Sequence, residues 1–152
     1  FYMEKKFYFA YGSNMDEEVM KWRGVNYTDR FFGKLENYKL VFQEFYKKEK
    51  LDGVFANIIP QKGSYVEGII YECDESVERL DKQEDYPVEY LKEELNIDSE
   101  RGPIECLVYV GNPESVRDEE APKKKYLSHL LNGKDLLSED YYKKLLETET
   151  AS

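Results

Sequence analysis

The sequence predicts an α+β fold: a small twisted, barrel-like, mainly antiparallel β-sheet with helices packed outside. Three observations carry this. Strand-like runs with a period near two recur as far as Val110, while helical periodicity appears early, once in the middle and twice at the end. The order does not repeat a strand-helix-strand unit, so a doubly wound parallel sheet is not expected. Tyrosine is abundant, 14 residues beside 8 Phe and 1 Trp. That suits a core with a polar edge, because Tyr buries its ring while its hydroxyl seeks a partner.

The apolar run Phe7-Tyr8-Phe9-Ala10-Tyr11 reads as the first strand. It meets the turn Gly12-Ser13-Asn14 and then a short amphipathic helix over Met15 to Trp22, with Asn14 as its cap and Glu17 as the second half of a capping-box-like pair. Phe31 to Leu35 and Tyr38 to Phe42 are strands separated by a turn at Glu36-Asn37. Tyr46 to Lys50 is a charged, solvated loop. Val54 to Pro60 is the next strand, ended by Pro60 and the turn at Lys62-Gly63-Ser64, and Tyr65 to Cys73 follows. A helix starts between Asp74 and Ser76 and runs to Gln83 or Asp85, before Pro87 stops it. Leu91 to Ile97 and Ile104 to Val110 form an antiparallel pair across the Ser99 to Pro103 turn. Helices over Pro122 to Leu131 and Ser138 to Glu147 complete the chain.

At 152 residues the chain is most simply one domain, spanning 3–148, and Phe1-Tyr2 before Met3 read as an expression remnant. A net charge of -10 argues against nucleic acid, whose binding rests on a basic field. No apolar run approaches the roughly 20 residues that span a bilayer, and no charged-then-apolar leader opens the sequence, so a cytoplasmic protein with no membrane partner is expected. Cys73 and Cys106 read as reduced core residues. With His129 the only histidine, a His-based metal site or a Ser/His or Cys/His nucleophile lacks material. The run Asp118-Glu119-Glu120 reads as a solvated turn, not a metal site. No metal and no cofactor are expected, so any chemistry must run on carboxylates, tyrosines and backbone.

Two places are candidates. The Gly12-Ser13-Asn14 turn presents unpaired backbone NH groups, which favour a carboxylate or a developing oxyanion, though such turns also occur as plain connections. In the middle helix Val77, Leu80 and Glu84 stand at i, i+3 and i+7, which puts them on one face of an ideal helix and makes Glu84 a candidate buried acid. Alternatively the helix has frayed by Glu84, leaving its side chain in water.

The run Tyr8-Phe9-Ala10-Tyr11-Gly12-Ser13-Asn14-Met15 resembles the signature of the γ-glutamylcyclotransferase family, enzymes that release 5-oxoproline from γ-glutamyl compounds. Leu80-Asp81-Lys82-Gln83-Glu84, followed by Tyr90, is similar to the family's second motif, and the likeness extends over most of the chain. The resemblance implies the same barrel-like fold. It also implies that Glu84 is the catalytic acid/base and that Tyr8, Phe9, Ala10, Tyr11, Gly12 and Ser13 form the substrate loop, joined by Asn14, Tyr90 and Tyr126. Tyr126, on a helix with Leu127, Leu130 and Leu131, also reads as a core residue. One departure is visible: the family commonly has glycine where this chain has Asp85.

The expected partner is a small γ-glutamyl molecule. Its α-amine would attack its own γ-carbonyl, with Glu84 moving the proton and burial raising the pKa of that carboxyl. Arg23 and Arg30 are candidates for its α-carboxylate. The leaving amine and the oligomeric state are not legible. A γ-glutamylamine cyclotransferase, a non-catalytic ligand-binding module on the same fold and a pure interaction domain are the competing readings.

Overall fold

The computed structural model of the chain describes residues 5–45 and 53–151, so the expectations for Tyr46 to Lys50 and for Phe1-Tyr2 lie outside the described residues. Six strands form one sheet: β1 (Lys6–Ala10), β2 (Tyr27–Phe45), β3 (Val54–Cys73), β4 (Tyr90–Ile97), β5 (Ile104–Gly111) and β6 (Val116–Glu119), in the order β4-β5-β1-β3-β2-β6. Every neighbouring pair is antiparallel except β1 with β5, which meet in parallel at Tyr8 and Leu107. The sheet does not close. It curls far enough for the end of β4 to reach β2, where Lys34 and Asp98 exchange two backbone hydrogen bonds of 2.9 Å.

The curl follows from the pattern of side chains. Along β1, Tyr8 and Ala10 fall on one face and Phe9 on the other, and all three are buried, so both faces of the sheet need cover. One face packs Tyr8, Ile69 and Tyr71 against Met20, Leu80, Leu127 and Leu130 from the helices. The other encloses Phe9, Ile58, Val66, Ile70 and Val108 within the sheet's own curvature. Helices α1 (Glu17–Trp22), α2 (Leu80–Gln83), α3 (Lys124–Leu131) and α4 (Glu139–Leu146) therefore sit outside, as predicted. Buried Glu67 of β3 ties α4 down by accepting from Ser138 N at 2.9 Å and Ser138 Oγ at 2.7 Å, while that hydroxyl caps the helix at Tyr141 N. Among the described residues no helix is long and apolar enough to cross a membrane.

Several boundaries differ from the sequence expectation. The turns at Glu36-Asn37 and Lys62-Gly63-Ser64 do not end strands; they face each other as one irregularity in a long hairpin. The register steps from Glu36 opposite Tyr65 to Tyr38 opposite Pro60. Asn37 takes φ 65, and its Oδ1 accepts from Gly63 N at 3.1 Å, so an Asx contact bridges the bulge. The acidic segment read as a turn contributes Asp118 and Glu119 to β6, an edge strand whose charged side chains remain in water. The first helix begins later than Met15, because Ser13–Met15 is a separate 3-10 turn. The middle helix divides into a 3-10 segment, Glu75–Arg79, and the short α2.

Candidate active site

At the end of β1 the chain turns through Gly12 into the 3-10 turn Ser13–Met15, closed by Met15 N to Gly12 O at 3.0 Å and Asp16 N to Ser13 O at 3.1 Å. The NH groups of Gly12, Ser13 and Asn14 have no acceptor among the described residues. Gly12 has φ -117, so its requirement is space: a Cβ there would stand 3.1 Å from Ala56 Cβ and 3.5 Å from Tyr126 Oη. Asn14 does not cap α1, and no capping box with Glu17 forms. The cap is Asp16, which accepts from Glu18 N at 3.0 Å and, through its other oxygen, contacts His129 Nδ1 at 2.9 Å and Asn132 Nδ2 at 2.8 Å. Desolvation opposes ionisation of Asp16, but these hydrogen bonds prevail and lower its pKa.

Asn14 is buried inward because its side chain has better partners there. Its Nδ2 donates to Tyr8 Oη at 2.8 Å, its Oδ1 accepts from Arg23 Nη1 at 2.7 Å, and its carbonyl accepts from Tyr71 Oη at 2.7 Å. The same Arg23 nitrogen reaches Glu84 Oε2 at 3.3 Å. Tyr8, Asn14, Arg23 and Glu84 thus form one hydrogen-bonded chain from β1 to the end of α2.

Glu84 follows the last residue of α2, with its NH on Leu80 O at 2.8 Å. Val77 and Leu80 are fully buried below it, whereas the Glu84 side chain keeps 17% exposure at the edge of that face. Asp85, exposed and turned away, takes φ 50. This is the left-handed region, which glycine adopts without strain and aspartate tolerates, so the turn after Glu84 persists without glycine.

Glu84 and the Gly12–Asn14 turn share the wall of one open cavity of about 300 Å³, mouth included, completed by Tyr8, Tyr11, Ala56, Tyr90, Tyr109 and Tyr126. Glu84 is the only carboxyl among these lining residues. Tyr11 Oη donates to Tyr109 O at 2.6 Å, and Tyr109 Oη to Asp81. Tyr90 Oη donates to the carbonyl of Ala56 at 2.7 Å, while Ala56 N donates to Tyr126 Oη at 3.0 Å. Burial first, and the Glu84 charge second, push the Tyr8 and Tyr11 phenols well above the ordinary range. Burial likewise raises Tyr90 and Tyr109 and brings Tyr126 up to about 12. At neutral pH the cavity therefore presents phenol hydroxyls, not phenolates.

Eight of the residues singled out in the sequence meet here: Tyr8, Tyr11, Gly12, Ser13, Asn14, Glu84, Tyr90 and Tyr126. Phe9 and Ala10 do not line the cavity. Phe9 faces the opposite side of the sheet, against Gly68, and Ala10 is packed among the helix-side core residues. Arg30 is also elsewhere, paired with Asp135 at 2.7 Å and Glu17 at 3.5 Å. Sequence reasoning missed Tyr109 and Ala56. Tyr109 follows Leu107 by two, and Leu107 pairs with Tyr8, so strand alternation carried a signal for it. Among the described residues no group of three or more His, Cys, Asp or Glu side chains could hold a metal ion.

Comparison with known proteins bears on this arrangement. The model of the family described as gamma-glutamyl cyclotransferase, AIG2-like, matches residues 8–128. A solved structure titled gamma-glutamyl cyclotransferase has TM-score 0.86 and 25% identity, covering 98% of this chain and 90% of that one. An uncharacterized protein from Homo sapiens has TM-score 0.85 and 25% identity over the same shares. A yeast protein titled as a gamma-glutamyl cyclotransferase specific to glutathione shares the fold, with TM-score 0.70 and 15% identity over 94% of each chain. No curated protein sequence matches. The match covers most of the chain and includes both Glu84 and the turn it faces, and on it the chain belongs to the gamma-glutamyl cyclotransferase, AIG2-like family.

Proposed function

We propose that this protein cyclises γ-glutamyl compounds, releasing 5-oxoproline and an amine, with Glu84 as the acid/base. The observation that carries the proposal is the shared cavity wall, where the Glu84 carboxyl and the unpaired NH groups of Gly12–Asn14 line one hollow. Membership of the family supports it.

In this mechanism Glu84 takes a proton from the substrate's α-ammonium group, and the freed amine attacks the γ-carbonyl carbon. The tetrahedral oxyanion is held by the NH groups of the turn, whose dipoles are fixed before reaction and need no reorganisation. The protonated Glu84 then donates to the departing amine as the C–N bond breaks. The same carboxylate takes the second proton from the ring nitrogen, cationic after its attack, and passes it to the released amine, which leaves as an ammonium beside a neutral lactam. Nucleophile and electrophile belong to one molecule, so the protein's largest task is holding a folded conformer; well-oriented intramolecular reactions reach effective molarities of about 10⁵ to 10⁸ M. The ring of tyrosines walls that conformer in, and Arg23 and Asn14 fix the Glu84 carboxyl relative to the turn.

The test is 5-oxoproline release from γ-glutamyl dipeptides, γ-glutamylamines and glutathione, comparing the protein with a folded Glu84→Gln variant. Release by the parent and a loss of about 10² to 10⁴-fold in the variant is the expected result. Activity surviving in Glu84→Gln would overturn the mechanism, and no release across the panel would favour a non-catalytic ligand-binding module.

A further inference from the structure

The run Leu80-Asp81-Lys82-Gln83-Glu84 holds a second carboxylate, Asp81, which does not line the cavity. Both of its oxygens are engaged. Oδ1 accepts from the hydroxyl of Tyr109, a residue of the cavity wall, and Oδ2 pairs with Lys92 Nζ at 3.0 Å. The main-chain oxygen of Asp81 accepts from Tyr86 N at 2.8 Å, and the Lys92 ammonium stands 4.4 Å from the centre of the Tyr86 ring. Asp81 therefore joins α2 to β5 through Tyr109, to β4 through Lys92, and to the turn after Glu84 through Tyr86.

Tyr109 in turn grips the end of the first strand. Its main-chain oxygen accepts from Tyr11 Oη at 2.6 Å, and its ring meets Tyr8 edge-on at 6.0 Å. Tyr8 and Tyr11 belong to the stretch that runs into Gly12, whereas Asp81 lies one helical turn before Glu84. A single phenol thus holds both the strand that delivers the turn and the helix that delivers the carboxyl. That helix has only four residues. So short a helix has too few internal hydrogen bonds to hold itself, and its place is set by what its side chains grip. Leu80 grips by burial, which has no direction; the hydrogen bond from Tyr109 to Asp81 has one. Of the two partners Tyr109 counts for more, since it is 3% exposed, whereas Lys92, at 30%, meets Asp81 partly screened by water.

Resting on the cyclotransfer reading, we propose that Asp81 is a positioning residue for Glu84, acting through Tyr109 to fix that carboxyl against the Gly12–Asn14 turn. Arg23 and Asn14 hold Glu84 from the end of α1, and Asp81 and Tyr109 hold it from β5. Reacting groups misplaced by about 1 Å lose about 10²-fold in rate, so a slackened α2 is felt in turnover.

The test pairs kinetics with amide hydrogen exchange on folded variants. Asp81→Ala and Tyr109→Phe are each expected to lower kcat for 5-oxoproline release by about 10- to 100-fold, with KM within about twofold of the parent. Tyr109→Phe keeps the packed ring, so the test stands on it even where Asp81→Ala does not fold. Asp81→Asn retains an acceptor for Tyr109 and gives up only the screened ion pair, so its kcat should stay within about threefold of the parent. The double variant should lose no more than the worse single, because one contact is removed in each. Exchange of the Glu84 and Tyr86 amides, bonded to Leu80 O and Asp81 O, should quicken about tenfold in Asp81→Ala and Tyr109→Phe while β2 and β3 keep parent rates. Unchanged exchange, or faster exchange with kcat unchanged, would overturn the proposal, as would losses that multiply in the double variant. Exchange is read without turnover: quicker exchange at Glu84 in a protein that releases no 5-oxoproline would uphold the hold on Glu84 and overturn cyclotransfer.

Discussion

Arg23 Nη1 lies 3.3 Å from Glu84 Oε2, and both side chains are only 17% exposed. One guanidinium nitrogen thereby joins the end of α1 to the end of α2, with Asn14 Oδ1 as its second acceptor. Hydrogen bonds to charged groups contribute about 1.5–3 kcal/mol, so Arg23→Gln should lower kcat/KM for 5-oxoproline release by about 10- to 100-fold. Arg23→Lys should recover only part of the loss, since an ammonium lacks the planar fork. Kinetics unchanged in both variants would leave the pair a purely structural contact.

Tyr8→Phe keeps the ring but removes the acceptor of Asn14 Nδ2. A buried amide donor left without a partner costs about 1–3 kcal/mol, which urea unfolding should register as a lower midpoint with an unchanged slope. A midpoint equal to the parent's would mean that Asn14 finds another acceptor.

Asp85 occupies the left-handed region at φ 50. Asp85→Gly should be neutral or stabilising by up to about 1 kcal/mol, whereas Asp85→Val should cost about 1–2 kcal/mol or more, because a β-branched side chain is poorly tolerated there. Thermal unfolding of the two variants checks the ordering.

Gly68→Ala should be among the most damaging single changes in the sheet. The added Cβ would lie 2.3 Å from the backbone oxygen of Ala10 and 2.9 Å from the Phe9 ring, and the backbone oxygen cannot swing aside. A loss of about 1–3 kcal/mol or more is expected by denaturant unfolding, with the Gly12 turn displaced through Ala10.

Alkaline titration should separate two groups of tyrosines. Burial holds Tyr8, Tyr11, Tyr90 and Tyr109 protonated well past the ordinary value and Tyr126 up to about 12. The unfolded chain ionises near ~10, so above that pH it sheds protons that the folded state keeps. The stabilisation is complete below ~10 and is lost as pH climbs towards the folded values. Phenolate absorbance should rise first for exposed tyrosines, then for the cavity tyrosines together with the loss of circular dichroism. Full ionisation with native dichroism intact would contradict the burial.

Much of this was legible in the chain. Strand alternation located β1, β4 and β5, and Gly12, Ser13, Asn14 and Glu84 were marked by turn chemistry and a helical face. Helix spacing was too coarse for the rest: Val77 and Leu80 are buried as expected, yet the 3-10 geometry of Glu75–Arg79 was not foreseen. Arg23 was noticed only as a candidate carboxylate ligand, because its link to Glu84 depends on how α1 docks, which no local pattern encodes. Asn37 and Gly63 were read as two turns because positive-φ residues look alike in sequence whether the chain reverses or bulges. Phe9 was assigned to the site with its neighbours, although period two sends it to the other face.

The pairing of Tyr90 and Tyr126 with the main chain of Ala56 has a consequence beyond the cavity. Both hydroxyls occupy the side of β3 that β2 does not, where the buried main chain of Ala56 would otherwise keep a donor and an acceptor without partners. A buried main-chain group left without a partner costs about 1–3 kcal/mol. Trimming either tyrosine to widen the cavity would therefore loosen β3 itself, so the room inside this hollow is bought with the rigidity of the sheet that frames it.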